Sequence, residues 1–259
     1  MYKRRCYRLE LQKAFLWKRV AAGVLDLILT SVVAVGFALL LSYLLGYDNY
    51  SKTMNDAYEK YEAEYGIDFN ITEESYTALS EEEKKAYEDA QQALMSDEPV
   101  MKAYNMMLTL SVLITTFGIL LGVMLVEFAV PLIFGNGQTL GKKVFGIGLV
   151  RQDSVKISTL QLFVRTLLGK YTIETMVPVF ILLMMFWGTI GIIGPVVIIG
   201  ILAAEVICIC VSQTISLIHD TLAGTVAVDL TSQRVFATEE ALIEYKKKLH
   251  AEQAAKQTY

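Results

Sequence analysis

"WKRVAAGVLDLILTSVVAVGFALLLSYLLG", residues 17–46, is almost unbroken hydrocarbon, yet it holds one carboxylate, Asp26, and has an arginine, Arg19, at its mouth. Roughly 20 apolar residues at about 1.5 Å each cross the hydrocarbon of a bilayer, so the run reads as a spanning helix. Met106–Phe134 is a second such run. Met176–Ile218 holds 43 residues, too many for one crossing, and "WGTIGIIGP" at 187–195 supplies turn residues where two crossings join. Four spans result. A hydrophobic share of 54% agrees with them, and so does a mean hydropathy of +0.44.

Charge orients the spans. The amino-terminal arm "MYKRRCYRLELQKAFLWKR" is basic, and so is the segment after the second span, with Lys142, Lys143, Arg151, Lys156, Arg165 and Lys170. Between the first two spans, Tyr47–Ala103 is strongly acidic. The positive-inside rule puts the basic segments and both termini in the cytoplasm and the acidic segment outside. The expected architecture is an all-α membrane protein: four transmembrane helices, a small extracytoplasmic helical lobe, and amphipathic or short extended cytoplasmic elements.

The expected order is a cytoplasmic interfacial helix over 1–18 and the first transmembrane helix over 19–46. The acidic lobe takes 47–103 and the second transmembrane helix 104–134. A Gly-rich cytoplasmic loop with an amphipathic helix covers 135–171, the third and fourth spans 172–218, and a cytoplasmic tail with a terminal helix 219–259. Within the lobe, Ser80 with Glu83 three residues on is a capping box, and Tyr58, Tyr61 and Tyr65 recur at helical spacing. Its acidic face repels anions and can concentrate cations. "VFGIGLV", "DSVKI" and "GTVAVDLTSQRVF" read as short extended pieces, the first and last able to pair, and Ser158 caps the amphipathic helix. The helix from Thr238 reads as exposed.

Arg19, Asp26, "GQTLGKKVFGIGLV" at 137–150, Arg165 and "HDTLAGTVAV" at 219–228 together resemble the RDD family of bacterial membrane proteins, named for one arginine and two aspartates. The arginine and first aspartate fall on Arg19 and Asp26, and the second aspartate on Asp220. The resemblance implies a multi-pass protein of the bacterial cytoplasmic membrane, of a family linked with transport, with cation/proton antiport attributed to some members. The long acidic segment departs from the family's usual short connection.

A carboxylate in hydrocarbon costs roughly 2.5–3.5 kcal/mol on insertion scales, so it faces protein, a partner or water. Asp26 lies six residues past Val20 and Glu127 seven before Phe134 on the oppositely directed second span, each about 10 Å from the cytoplasmic face. Arg19 lies level with His219 and Asp220 at the end of the fourth span, which points to an Arg19–Asp220 pair. Glu205, ten residues past Pro195, is placed about 15 Å in, in the outer half. Two readings stand. Arg19, Asp220, Arg165 and His219 form a structural charge network; Asp26, Glu127 and Glu205 mark a path for a cation or proton. Gly118 and Gly122 form a GxxxG for helix packing. Pro131, near Glu127, can free a backbone carbonyl.

Other chemistry finds little footing. Two histidines exclude a three-histidine metal site. "GNGQTLGKK" lacks the spacing of a phosphate-binding loop, and no nucleophile motif accompanies His219–Asp220. Neither catalytic residues, cofactor, metal nor nucleic acid is therefore expected. The expected partners are the bilayer, a small cation or proton, and further copies of the chain if four helices are to enclose a pathway. The rival reading is a non-transporting accessory protein that binds a partner through its acidic lobe and carboxy-terminal helix.

Overall fold

The computed structural model describes residues 11–211 and 216–256, and the fold is that of an all-α membrane protein. Four of its helices are long and apolar enough to cross a membrane: α1 (Leu16–Leu45), α5 (Glu98–Phe134), α7 (Thr159–Phe186) and α8 (Ile193–Val211). Between α1 and α5 lie α2 (Tyr47–Tyr65), α3 (Glu73–Thr77) and α4 (Glu81–Ser96). The short α6 (Leu140–Val144) precedes strand β1 (Ile147–Arg151), and α9 (Ile218–Ala223) precedes β2 (Thr225–Asp229). α10 (Glu239–Lys256) comes last.

Contacts divide the chain into two compact units, Met1–Ala34 with Ile119–Tyr259, and Val35–Gly118. In the second, α2 and α4 pack through Met54, Ala57, Tyr61 and Leu94, joined by Val100 and Ala103 at the start of α5. Tyr61 and Tyr65 lie on this inner face, and the Tyr61 hydroxyl donates to Asp97 at 2.9 Å. Ser80 starts α4 with a reciprocal capping box: its hydroxyl accepts the Glu83 amide, and the Glu83 carboxylate accepts the Ser80 amide at 2.8 Å.

In the first unit, β1 and β2 pair antiparallel with Leu149 opposite Ala227, burying Ile147, Leu149, Val226 and Val228. Val150 also bridges to Lys156. Three boundaries differ from those drawn on the sequence. Residues 1–10 of the expected interfacial helix lie outside the described residues, and 11–15 are extended rather than helical. Lys13 bridges to Val228, the Ala14 amide donates to the Ala227 carbonyl, and Ala14 is buried. The open edge of β2 accepts the Ala14 amide and donates the Asp229 amide to the Gln12 carbonyl at 3.0 Å, and this pairing overrides the amphipathic pattern.

The second difference concerns α7, which does not break at 171 but runs on from Ser158, whose capping box with Gln161 starts it. The third concerns α5, which begins at Glu98, so the last turn of the expected lobe belongs to the spanning helix. Nor is α10 wholly exposed, because Leu242 is buried with Val155 and Phe236.

Two π-helical stretches, Met124–Ala129 in α5 and Val164–Met176 in α7, each end just before a proline, Pro131 and Pro178. Proline lacks the amide that the carbonyl four residues back requires, and the wider turn accommodates the loss. That carbonyl belongs to Glu127 in α5 and to Glu174 in α7. The Glu127 carbonyl instead accepts the Thr166 hydroxyl at 3.0 Å, tying α5 to α7.

Candidate functional site: a buried charge network

Within the first unit, α1, α5, α7 and α9 each deliver charged side chains to one enclosed region. Asp220, 1% exposed, receives the Arg165 Nε–H at 2.8 Å and the Arg19 Nη2–H at 3.2 Å on its two oxygens, with the Thr225 hydroxyl at 3.1 Å. Arg19 and Asp220 thus meet across α1 and α9. Arg165 extends the chain of charges: its Nη1 is 3.8 Å from Glu127 Oε2, and Lys170 pairs with Glu127 Oε1. Burial alone would raise the Asp220 carboxyl; the charges of Arg165, His219 and Arg19 outweigh it and hold the group well below the usual carboxylate range.

Asp26, 2% exposed, does not pair with an arginine. Its Oδ1 accepts the Gly141 amide at 2.8 Å and its Oδ2 the Thr139 hydroxyl at 2.5 Å, at the start of α6. Gly141 is needed there: a Cβ would sit 2.4 Å from the Ala22 carbonyl oxygen and 2.8 Å from Asp26 Oδ1. The Lys142 ammonium stands between the acids of α1 and α5, 3.7 Å from Asp26 Oδ2 and 3.6 Å from Glu127 Oε2. Both separations exceed hydrogen-bond length; its one hydrogen bond among the described residues runs to Thr139 at 3.2 Å. Burial is the main influence on Lys142 and lowers it to about 8, against the opposing pull of Glu127. Two buried atoms have no hydrogen-bond partner among the described residues, Glu127 Oε2 and Arg165 Nη1.

Glu205 is not brought to Asp26 or Glu127. Its carboxylate accepts the Ile218 amide at 3.3 Å and lies against Glu174. The placement in the outer half of the fourth span is therefore corrected: α8 carries Glu205 back toward the start of α9, six residues before the helix's last described residue. His219 Nδ1 lies 2.7 Å from both Glu174 oxygens, and its amide donates to Glu174 at 3.0 Å. Burial, and after it the Arg165 charge, push the His219 imidazole below its ordinary value. Gly169 permits this junction, since a Cβ there would be 2.4 Å from His219 Cβ. In the GxxxG pair, Gly118 is buried and Gly122 abuts Ala34 of α1, where a Cβ would come within 2.9 Å.

Sequence reasoning passed over Lys142, Lys170, Thr139 and Glu174 as site residues. In the sequence the two lysines belong to a basic segment whose charge only orients the spans. Glu174 had a visible signal, because "EFAVP" at 127–131 and "ETMVP" at 174–178 both set a glutamate four residues before a proline.

These features define a polytopic helical membrane protein whose spans are cross-linked by buried ion pairs. The RDD family model matches residues 13–224, and the chain belongs to that family. No curated protein and no solved structure matches it.

Proposed function

We propose that this protein exchanges a proton for a small cation across a bacterial cytoplasmic membrane, with Lys142 as the proton carrier and Asp26 and Glu127 as the cation's ligands. One observation carries the reading: a single loosely held ammonium sits between two buried carboxylates from two spans, 3.7 and 3.6 Å away. When protonated, Lys142 occupies the position a cation would take. Loss of its proton removes one positive charge from between the acids, and one entering monovalent cation restores it. Glu127 Oε2, which accepts no hydrogen bond among the described residues, is then a ready oxygen ligand. Hard cations favour such oxygen donors. Arg165, Arg19 and Asp220 hold the helices in register throughout, since guanidinium groups keep their protons.

The charge distribution supports an orientation with both termini in the cytoplasm and residues 47–103 outside. The segment 135–171 carries six basic residues against one acid, whereas 47–103 carries 15 acids against five lysines.

Purified protein in vesicles loaded with a pH-sensitive dye tests the reading. An inward sodium or potassium gradient is expected to drive protons outward, with a rate that rises as the pH passes about 8. Lys142→Arg, which retains its proton, abolishes exchange while leaving thermal unfolding close to wild type. Exchange that persists in Lys142→Arg, or is missing from the wild type, overturns the assignment.

A further inference from the structure

The helical lobe contains a cleft that the charge network does not use. It has a volume of about 400 Å³, within the range of small-molecule sites. Tyr58 of α2 stands on one side and Tyr87 of α4 on the other, with Phe69 of the connecting segment between them. The rings meet edge to face, Tyr58–Phe69 at 5.5 Å and Phe69–Tyr87 at 5.6 Å between centroids. Met95, 59% exposed, stands at the rim, while Asn70 and Gln91 supply neutral polar groups. None of the lining residues carries a charge.

The surroundings are charged, and predominantly negative. Residues 47–103 bear 15 acids and five lysines, a net of −10. Three carboxylates are bound directly to the framework of the cleft. Glu62 accepts the Phe69 amide at 2.9 Å, Asp68 accepts the Asn70 amide at 2.7 Å, and Glu88 accepts the hydroxyl of Tyr76, whose ring packs on Tyr87 at 5.2 Å. Aromatic faces hold a cation through the ring quadrupole, most strongly when it sheds little water on binding. A surrounding negative potential concentrates cations and excludes anions.

We infer that this cleft binds a small alkylated ammonium ion, its methyl groups against Tyr58, Phe69 and Tyr87 and its charge balanced by the surrounding carboxylates. An inorganic cation is a poor match, because no lining carboxylate replaces its hydration shell. A neutral apolar molecule gains nothing from the field. The site is independent of the proton exchange proposed above.

Calorimetric titration of the full chain in detergent tests this, with choline as the probe and, for comparison, its uncharged isostere in which a quaternary carbon replaces the nitrogen. Choline is expected to bind saturably and to weaken as salt is raised. The isostere is expected to give no measurable binding. Tyr87→Leu weakens choline at least about tenfold, in line with the loss of one cation–ring contact. Tyr87→Phe, which keeps the ring, retains binding and shows that the lobe remains folded. Equal binding of the isostere, no binding of choline, or an unchanged affinity in Tyr87→Leu overturns the inference.

Discussion

Asp220→Ala should be among the most damaging single substitutions in the chain. The wild-type carboxylate is 1% exposed and accepts from Arg165 at 2.8 Å, Arg19 at 3.2 Å and Thr225 at 3.1 Å. Truncation strands the Arg165 guanidinium, itself 2% exposed, with Glu127 at 3.8 Å as its remaining ion pair among the described residues and Glu174 as a weaker, more distant counter-charge. Removing one partner of a buried pair costs roughly 3–5 kcal/mol, because the charge left behind loses both its water and its ion. Arg19 is 11% exposed along its side chain and can recover some solvation, which places the expected loss near the lower end, about 3 kcal/mol. Equilibrium unfolding in mixed micelles, titrated with a denaturing detergent and followed by the fluorescence of Trp17 and Trp187, measures it. Glu81→Ala, which breaks a pair with Lys84 whose carboxylate is 92% exposed, serves as the control and should scarcely shift the curve. Arg165→Met combined with Asp220→Met should cost less than Asp220→Ala alone, since no charge is stranded on Arg165. A loss below about 1 kcal/mol for Asp220→Ala, no larger than an ordinary substitution, would refute the argument that enclosed charges hold α1, α7 and α9 together.

Two further outcomes follow from the geometry. Gly169→Val forces a Cβ into His219, 2.4 Å from its Cβ and 2.6 Å from its Cα, so one backbone must move; a loss of about 1–3 kcal/mol is expected, with a changed His219 imidazole shift by NMR, whereas Gly36→Val, with open space around it, should be tolerated. Asp229 is held at about 2, first by its hydrogen bond to Lys18 and then by Thr231, below its ordinary 3.8. A depressed carboxyl stabilises the fold above its ordinary value and ceases to do so as the pH falls toward the folded one, so wild type should lose stability from pH 3.8 down to about 2. Asp229→Asn should flatten that limb of a melting-temperature profile.

The membrane architecture was legible because hydrocarbon thickness imposes a length on every crossing, and length is counted directly from residues. Depth counting also placed Arg19 level with Asp220, since rise per residue is the same in every helix. Glu205 escaped the same arithmetic, because a depth counted from Pro195 ignores which neighbouring element the helix approaches. Lys142 was illegible for a different reason. Its neighbours Lys143 and Lys156 belong to the same basic stretch, and nothing local separates a solvated lysine from one enclosed between two acids.

By itself, then, the amino-acid order determined four apolar runs, the sign of the charge between them, the caps at Ser80 and Ser158, and the proline at 131 that frees a backbone carbonyl; these depend on spacing along one chain. Only the tertiary structure decided which cation stands against which carboxylate. That choice rests on close approaches such as Gly141 against Ala22 and Gly169 against His219, and on the edge of β2 that draws residues 11–15 out of a helix. Electrostatic energy in a low-dielectric interior varies steeply with ångström separations, and those separations are set by packing between segments far apart in the chain.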